Sequence, residues 1–206
     1  MNYLDFKNRL SPHIIFSTND IEFYFPKFNR MNLVRWQQSN LIIKLRNEWY
    51  CFQESIVEEK FLFSISNKIY QPSYVSLESA LSYYGIIPEG VFMIQGISTL
   101  KTNQFSNSKG NFQYKHIKTD LFFGYQLIKM GHFTIKMADF EKAIVDSLYY
   151  NPKLETVQDY YDLRWNKNIL KNQLNKTKLN DYATLINSKI INRKLKILLN
   201  YVYDSY

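Results

Sequence analysis

Four titratable residues in the second half of the chain are close enough in sequence to suggest catalysis. Asp139, Glu141, Lys142 and Asp146 form the only cluster of carboxylates with a lysine. A metal-dependent nuclease needs carboxylates that converge on a divalent cation beside such a lysine, usually from strands. The spacing here predicts one helix with acidic groups spread around it, so we expect helix capping and a partly buried ion pair. Nuclease activity is the less favoured alternative.

Residues that commonly bind metals are sparse. The single cysteine, Cys51, excludes an internal disulfide and a cysteine-based zinc site. The histidines, His13, His116 and His132, are too scattered to ligate a metal. We therefore expect a protein that is not an enzyme, carries no metal or cofactor, and resides in the reducing cytoplasm. The longest apolar stretch without charge, Gly90 to Leu100, is too short to span a bilayer, so no membrane partner is expected.

Cationic and amide side chains near the N-terminus have the chemistry of duplex DNA recognition. Arginine pairs with phosphate or with guanine, asparagine and glutamine pair bidentately with adenine, and lysine contacts phosphate. The predicted DNA-binding residues are Arg30, Asn32, Arg35, Gln37, Gln38, Lys44 and Arg46.

Three short helices followed by a hairpin are predicted to position these residues. This order is typical of a winged helix-turn-helix, in which the helix after the turn enters the major groove and the hairpin lies along the backbone. Protein contact by the same fold is an alternative, because a fold alone does not decide function. The expected elements are helices at Asn2–Arg9, after the capping residues Ser17 to Asp20, and at Arg30–Ser39, and strands at Leu41–Leu45 and Trp49–Phe52.

The third helix is expected to bury one face. Met31 and Val34, with Leu33 as a further candidate, are predicted to face inward. Trp36 could insert toward DNA or pack inside the protein, and we expect it in the core.

Positive charge is concentrated at the two ends of the chain. The net charge is +8 overall, and residues 1–53 carry seven Lys or Arg against four Asp or Glu. Residues 54–163 carry ten against twelve, and residues 164–206 carry nine against two. Basic surfaces are typical of nucleic-acid binding, although a charge run is usually only a solvated face.

The predicted fold class is α+β. Residues 1–53 are expected to form a winged helix-turn-helix domain, and residues 54–206 an α+β domain with an antiparallel sheet and a basic helical tail at 164–206. The expected elements of the second domain are helices at Ile56–Tyr70, at Leu77–Tyr84 with Ser76 as N-cap and from Asp139, strands at Val91–Ile97, Gln113–Ile117, Phe122–Ile128 and His132–Met137, a polar hairpin tip at Ser106–Gly110, and three or four helices in Glu155–Tyr206.

Four segments occur together in one order: a segment ending NLVRWQQSNLIIKLRNEWY, then PSYVSLESALSYYGIIPE, FFGY and ADFEKAIVDSLYYNP. This order resembles the AbiEi family of antitoxins and transcriptional regulators over roughly residues 10 to 155. The resemblance implies a DNA-binding domain that represses its own promoter. It also implies an antitoxin domain that counters a nucleotidyltransferase-like toxin in a type IV toxin-antitoxin system of abortive phage infection.

Two features differ from that family. Asn47 occupies the wing turn, where glycine is common, and the basic tail after Asn166 has no counterpart that we recognise. In a type IV system the toxin and antitoxin need not form a stable complex, and the resemblance sets no oligomeric state. A solitary winged-helix regulator, or a protein-interaction adaptor without a toxin partner, is the alternative function.

Overall fold

The computed structural model describes residues 2–88, 90 and 92–203, and the predicted α+β class is confirmed there. Glu89 of the second motif, the predicted strand start at Val91, and residues 204–206 lie outside the described residues. The helices are α1 (Tyr3–Leu10), α2 (Thr18–Tyr24), α3 (Met31–Gln38), α4 (Glu59–Ile69), α5 (Leu77–Tyr83), α6 (Phe140–Tyr150), α7 (Val157–Asp162), α8 (Lys167–Gln173), α9 (Lys176–Ile186) and α10 (Lys189–Tyr203). The strands are β1 (Ile15–Ser17), β2 (Ile42–Arg46), β3 (Trp49–Phe52), β4 (Ser73–Val75), β5 (Met93–Ser98), β6 (Asn103–Asn107), β7 (Gly110–His116), β8 (Tyr125–Met130) and β9 (Phe133–Ala138).

The N-terminal part contains the three helices and the hairpin that the sequence predicts, together with one strand that it does not. Strand β1 pairs with β3, and β3 pairs with β2, so the sheet order is β1-β3-β2 with antiparallel neighbours. Ser17 then begins α2 through a capping box with Asp20. A three-residue strand is too short to show an alternating pattern, which explains why β1 is missed.

A cluster of aromatic and aliphatic side chains holds these elements together. Trp36 is buried, and its ring lies 4.5 Å from the ring of Phe6 in α1 and 5.9 Å from that of Phe28. The prediction that Trp36 belongs to the core is therefore confirmed. The buried members of the cluster are Phe6, Leu10, Phe16, Ile21, Leu33, Trp36, Ile42, Tyr50 and Phe52.

The larger sheet has six strands in the order β6-β7-β5-β4-β9-β8. It is mixed, because β4 runs parallel to β9 and β5 runs parallel to β7. The predicted antiparallel sheet is wrong in this respect, since it assumes that strands adjacent in sequence pair with each other. Instead β6 is the edge strand and pairs antiparallel with β7. Strand β7 therefore lies between β6 and β5 and runs parallel to β5.

Helices cover both faces of this sheet at its centre. Tyr114 of β7 donates a hydrogen bond to the Ser66 carbonyl of α4 (2.9 Å), and Tyr74 of β4 contacts Asp146 of α6 (3.1 Å). The register places Val75, Gly96 and Tyr114 in one row, so Tyr74 points to the opposite face from Tyr114. Helices α4 and α6 therefore lie on opposite faces.

The described part of residues 155–206 contains four helices, the last three of them in the tail, and one lysine of the tail is buried. Lys194 of α10 donates hydrogen bonds to the carbonyls of Leu148 (3.1 Å) and Asn151 (2.6 Å) at the end of α6. The expectation that a charge run is a solvated face therefore does not hold for Lys194, because these helix-end carbonyls need donors. Within the described part of the chain, no helix combines the length and apolar character needed to cross a membrane.

The N-terminal part packs against the rest of the chain. Ile15, Leu45 and Cys51 lie in the same buried cluster as the core of the six-stranded sheet. Burial raises the pKa of the Cys51 thiol to about 12. The division into domains at residue 53 stays a prediction.

Candidate nucleic-acid interface

Helix α3 presents a mixed face of apolar, amide and cationic side chains to solvent. Leu33 and Trp36 are buried on its inner side. At about 100° per residue, Met31 and Gln38 point directly away from that side, and Val34 and Arg35 flank them. Arg35 and Gln38 are exposed as the sequence predicts.

Met31 and Val34 are not inside the protein. They are 57% and 43% exposed, so their predicted inward orientation is wrong. The buried face of α3 is set by Leu33 and Trp36, because the aromatic rings of α1 and Phe28 surround Trp36. Once Trp36 is fixed in the core, Met31 and Val34 must lie on the outer half of the helix.

Asn32 and Gln37 lie at the margins of the outer face and are half-buried. The Gln37 side-chain nitrogen donates to the Leu33 carbonyl of its own helix (2.9 Å), which leaves its carbonyl oxygen and its second N–H available for outside contact. These two residues therefore flank the outward face instead of belonging to its centre.

Arg30, at the start of α3, is exposed and held by an acidic neighbour. Its guanidinium donates to the Glu22 carboxylate of α2 at 2.5 Å. This hydrogen bond and the negative charge of Glu22 raise the pKa of Arg30. The pair is on the surface, so a phosphate oxygen that approaches can replace the carboxylate at little cost.

The β2–β3 hairpin lies next to α3 across a shallow groove. The groove has a volume of about 370 Å³, and Arg30, Gln37 and Lys44 line it together with Val34. Lys44 is exposed, and within the described part of the chain its ammonium group has no ion-pair partner. Asn47 adopts a positive φ of 30° in the hairpin turn, as expected for an asparagine that replaces glycine.

Arg46 of β2 does not line this groove and instead contacts the second part of the chain. Its guanidinium donates to the Ile69 carbonyl at the end of α4 (2.5 Å) and stacks 3.8 Å from the centre of the Phe105 ring. It also lies 4.9 Å from the ring of Tyr70. The structure therefore does not bring Arg46 together with the other six predicted DNA-binding residues.

The acidic cluster is a buried structural network. Lys142 is fully buried, and its ammonium group pairs with the Asp146 carboxylate and donates to the Tyr74 hydroxyl (2.9 Å). Asp146 also accepts hydrogen bonds from Tyr74 (3.1 Å) and Ser76 (2.7 Å). Burial and the nearby carboxylate raise the pKa of the Tyr74 hydroxyl. The predicted ion pair is thus present but completely, not partly, buried.

Ser76 occupies the predicted N-cap position of α5, but its side chain serves the network instead of the helix. Its hydroxyl donates to Asp146, and the first turn of α5 receives no hydrogen bond from that side chain. Asp139 does cap α6 by accepting from the Lys142 backbone N–H (2.9 Å). Its second oxygen accepts from the Tyr182 hydroxyl of α9 at 2.6 Å.

Glu141 joins α6 to α9. Its carboxylate accepts from the Asn175 backbone N–H (3.0 Å) and pairs with Lys178 (3.2 Å). Among the described residues, no group of three or more His, Cys, Asp or Glu side chains is arranged to hold a metal ion. The carboxylates that suggest a nuclease are thus occupied by partners in the protein.

Sequence reasoning misses how three motifs come together. Tyr74 and Ser76 come from the PSYVSLESALSYYGIIPE segment, Phe123 from FFGY, and Lys142 and Asp146 from ADFEKAIVDSLYYNP. The Lys142 ammonium group lies 5.0 Å from the Phe123 ring. The i, i+4 spacing of Lys142 and Asp146 is the one signal in the sequence, whereas the partners Tyr74 and Ser76 are about seventy residues away.

A larger groove of about 780 Å³ lies away from α3, beside α5, β5, β7 and α7. Two acidic residues, Glu78 and Asp162, and one cation, Lys115, line it, and Glu78 accepts a hydrogen bond from the Gln95 side chain (3.0 Å). This mixture favours no single ligand chemistry. The outward face of α3 with the adjoining hairpin is therefore the best candidate site, and comparison with protein-family models and with curated proteins finds no match for the chain.

Proposed function

We propose that the chain is a non-enzymatic, sequence-specific DNA-binding protein that uses residues 1–53 as a winged helix-turn-helix. The element order α1-β1-α2-α3-β2-β3, with β1 paired to β3, supports this proposal, because it provides two successive helices followed by a β-ribbon. One observation carries it. Gln38 is exposed on the side of α3 directly away from its buried face, and Arg35 is exposed on the flank of that side.

In this proposal α3 enters the major groove and the hairpin follows the backbone. Arg35 and Gln38 meet base edges or phosphates, and Lys44 across the groove neutralises a phosphate. Arg30 exchanges its bond to Glu22 for a phosphate oxygen. Arg46 is left out of the contact set because its guanidinium is packed on Phe105.

The biological role rests on the resemblance to AbiEi proteins. We propose a transcriptional autorepressor that binds its own promoter and an antitoxin that counters a nucleotidyltransferase-like toxin encoded by an adjacent gene. The buried network brings together the segments on which the resemblance rests, and it gives no physical account of antitoxicity. Growth rescue by the full chain when that toxin is expressed tests this part.

The DNA-binding proposal is tested by Arg35→Ala with Lys44→Ala, assayed by gel-shift titration on the upstream promoter duplex at several salt concentrations. Each lost phosphate contact lowers the slope of log K against log salt by about 0.9. We expect weaker binding and a smaller slope for the double variant.

The matched control removes two exposed lysines from the far hairpin, Lys129→Ala with Lys136→Ala. It lowers the net charge by the same amount without touching α3 or β2. Equal weakening by both double variants would mean that total charge, and not this face, governs binding. Unchanged binding by Arg35→Ala with Lys44→Ala would reject the assignment of the face.

A further inference from the structure

Two exposed apolar side chains stand between the polar groups on the outward face of α3. Met31, Val34, Arg35 and Gln38 follow the i, i+3, i+4, i+7 spacing, so they form one stripe along the helix. The same spacing usually marks a buried stripe, but here the buried side is the opposite one. The stripe is therefore built to contact something other than its own core.

The charges around the stripe indicate the class of partner. Helix α3 contains no acidic residue, and Arg35 lies within the stripe. The adjoining groove is lined by two cations, Arg30 and Lys44, against one carboxylate, Glu48. A polyanion fits this arrangement better than a protein surface does. A DNA major groove offers one apolar group, the methyl group of thymine, among its hydrogen-bonding edges.

The helix geometry matches neighbouring base pairs. With a rise of about 1.5 Å per residue, Met31 and Val34 are separated by about 4.5 Å along the axis. Base pairs are spaced by about 3.4 Å, so the two side chains meet the same or adjacent steps. Gln38, about 10 Å from Met31 along the axis, reaches about three base pairs away and has the donor and acceptor that adenine requires.

We propose that Met31 and Val34 read thymine methyl groups, so that the site recognised by α3 contains A·T pairs about two to three base pairs from the base contacted by Gln38. This inference rests on the proposed DNA binding. It adds two specificity-determining residues that the charge and amide pattern does not include.

The test exchanges thymine for deoxyuridine in the bound promoter duplex, which removes the methyl group and keeps the base-pairing edge. We expect wild-type protein to bind the deoxyuridine duplex about four-fold more weakly for each contacted methyl group. The double variant Met31→Ala with Val34→Ala should bind the thymine duplex about as weakly as wild-type protein binds the deoxyuridine duplex. It should also bind the two duplexes with equal affinity. Its salt slope should stay at the wild-type value, because no charge is removed.

Leu127→Ala is the matched control, because Leu127 is an equally exposed apolar residue on β8. It should bind both duplexes as wild type does. Equal affinity of wild-type protein for both duplexes would overturn the inference and leave DNA binding intact, whereas no duplex binding at all would overturn both. If Met31→Ala with Val34→Ala changes only self-association in sedimentation, the stripe contacts another protein chain and the inference also fails.

Discussion

At the scale of single residues, the most consequential side chain outside the interface is Lys142. A buried ammonium group is tolerated only when it is paired and hydrogen-bonded, and Asp146 and Tyr74 provide these contacts. The pair need not add much stability by itself, because desolvation offsets the attraction between the charges. Removing one partner of the ion pair is destabilising, because the remaining charge is then buried without a counter-charge.

Lys142→Met should therefore lower the free energy of unfolding by about 3–5 kcal/mol, because Asp146 is left buried without a counter-charge. Lys129→Met is the control, since Lys129 is exposed on β8, and it should change the stability by no more than about 0.5 kcal/mol. Urea unfolding at neutral pH measures both. Similar values for the two variants would show that Lys142 is not buried with its partner.

Residue positions were predictable from sequence where one strong local preference decides them. Trp36 was expected in the core and lies there, whereas Met31 and Val34 were expected inside and are exposed. The short helix has two competing apolar stripes, and only contact with α1 selects the one that contains Trp36. The internal contacts of Arg46 also depend on tertiary structure. They could not be predicted, because its partners Ile69 and Phe105 are distant in sequence.

At the scale of elements, the FFGY segment packs its aromatic rings against the buried network. The rings of Phe122 and Tyr125 lie 5.1 Å and 5.3 Å from the ring of Tyr74. Gly124 between them has a positive φ of 71°, and a Cβ atom there would approach the side chain of Lys142 to 3.0 Å. The glycine is required both by its backbone conformation and by the closeness of a lysine that cannot move away.

Gly124→Ala should lower the free energy of unfolding by about 2–4 kcal/mol, the sum of backbone strain and overpacking. Gly131→Ala separates these two causes, because Gly131 also has a positive φ, 62°, but an added Cβ atom there would meet nothing within 4 Å. It should cost about 1 kcal/mol. Thermal and urea unfolding of both variants provide the comparison, and equal losses would exclude the clash with Lys142.

The elements themselves were largely predictable, but their pairing was not. Helices α5 and α6 follow from capping residues and the 3.6-residue repeat, and both are observed close to their expected bounds. Strand β4 has three residues, all buried, so it shows no alternation. Its place between β5 and β9, which makes the sheet mixed, is decided by contacts between distant parts of the chain.

At the scale of the whole molecule, the N-terminal part is joined to the six-stranded sheet by polar contacts as well as by a shared core. Asn107 at the end of β6 donates to the Leu45 carbonyl (3.0 Å), and Lys109 donates to the carbonyls of Gln53 (3.0 Å) and Ser55 (2.8 Å). Arg46 adds its bond to Ile69 in α4. Arg46 is thus used for an internal contact, whereas Lys44 is exposed, and the pairing register of β2 with β3 shifts between these two residues.

Variants of Arg46 and Lys44, two cations of one strand, should therefore have opposite effects on stability and on duplex binding. Arg46→Gln should lower the stability by about 2 kcal/mol, because a charged hydrogen bond and a cation–π contact are lost. For a chain of this size that loss lowers Tm by about 4–8 °C. Its duplex affinity and salt slope, measured well below Tm, should equal those of wild type.

Lys44→Gln should show the opposite pattern. Lys44 is exposed and makes no ion pair within the described part of the chain, so its Tm should stay within about 1 °C of wild type. Its salt slope should fall by about 0.9, the value for one phosphate contact. A reduced slope for Arg46→Gln would instead return Arg46 to the DNA-binding set and require the packing on Phe105 to open when duplex binds. Calorimetry and gel-shift titration of the two variants decide between these arrangements, because an internal cation affects Tm and a phosphate-binding cation affects the salt slope.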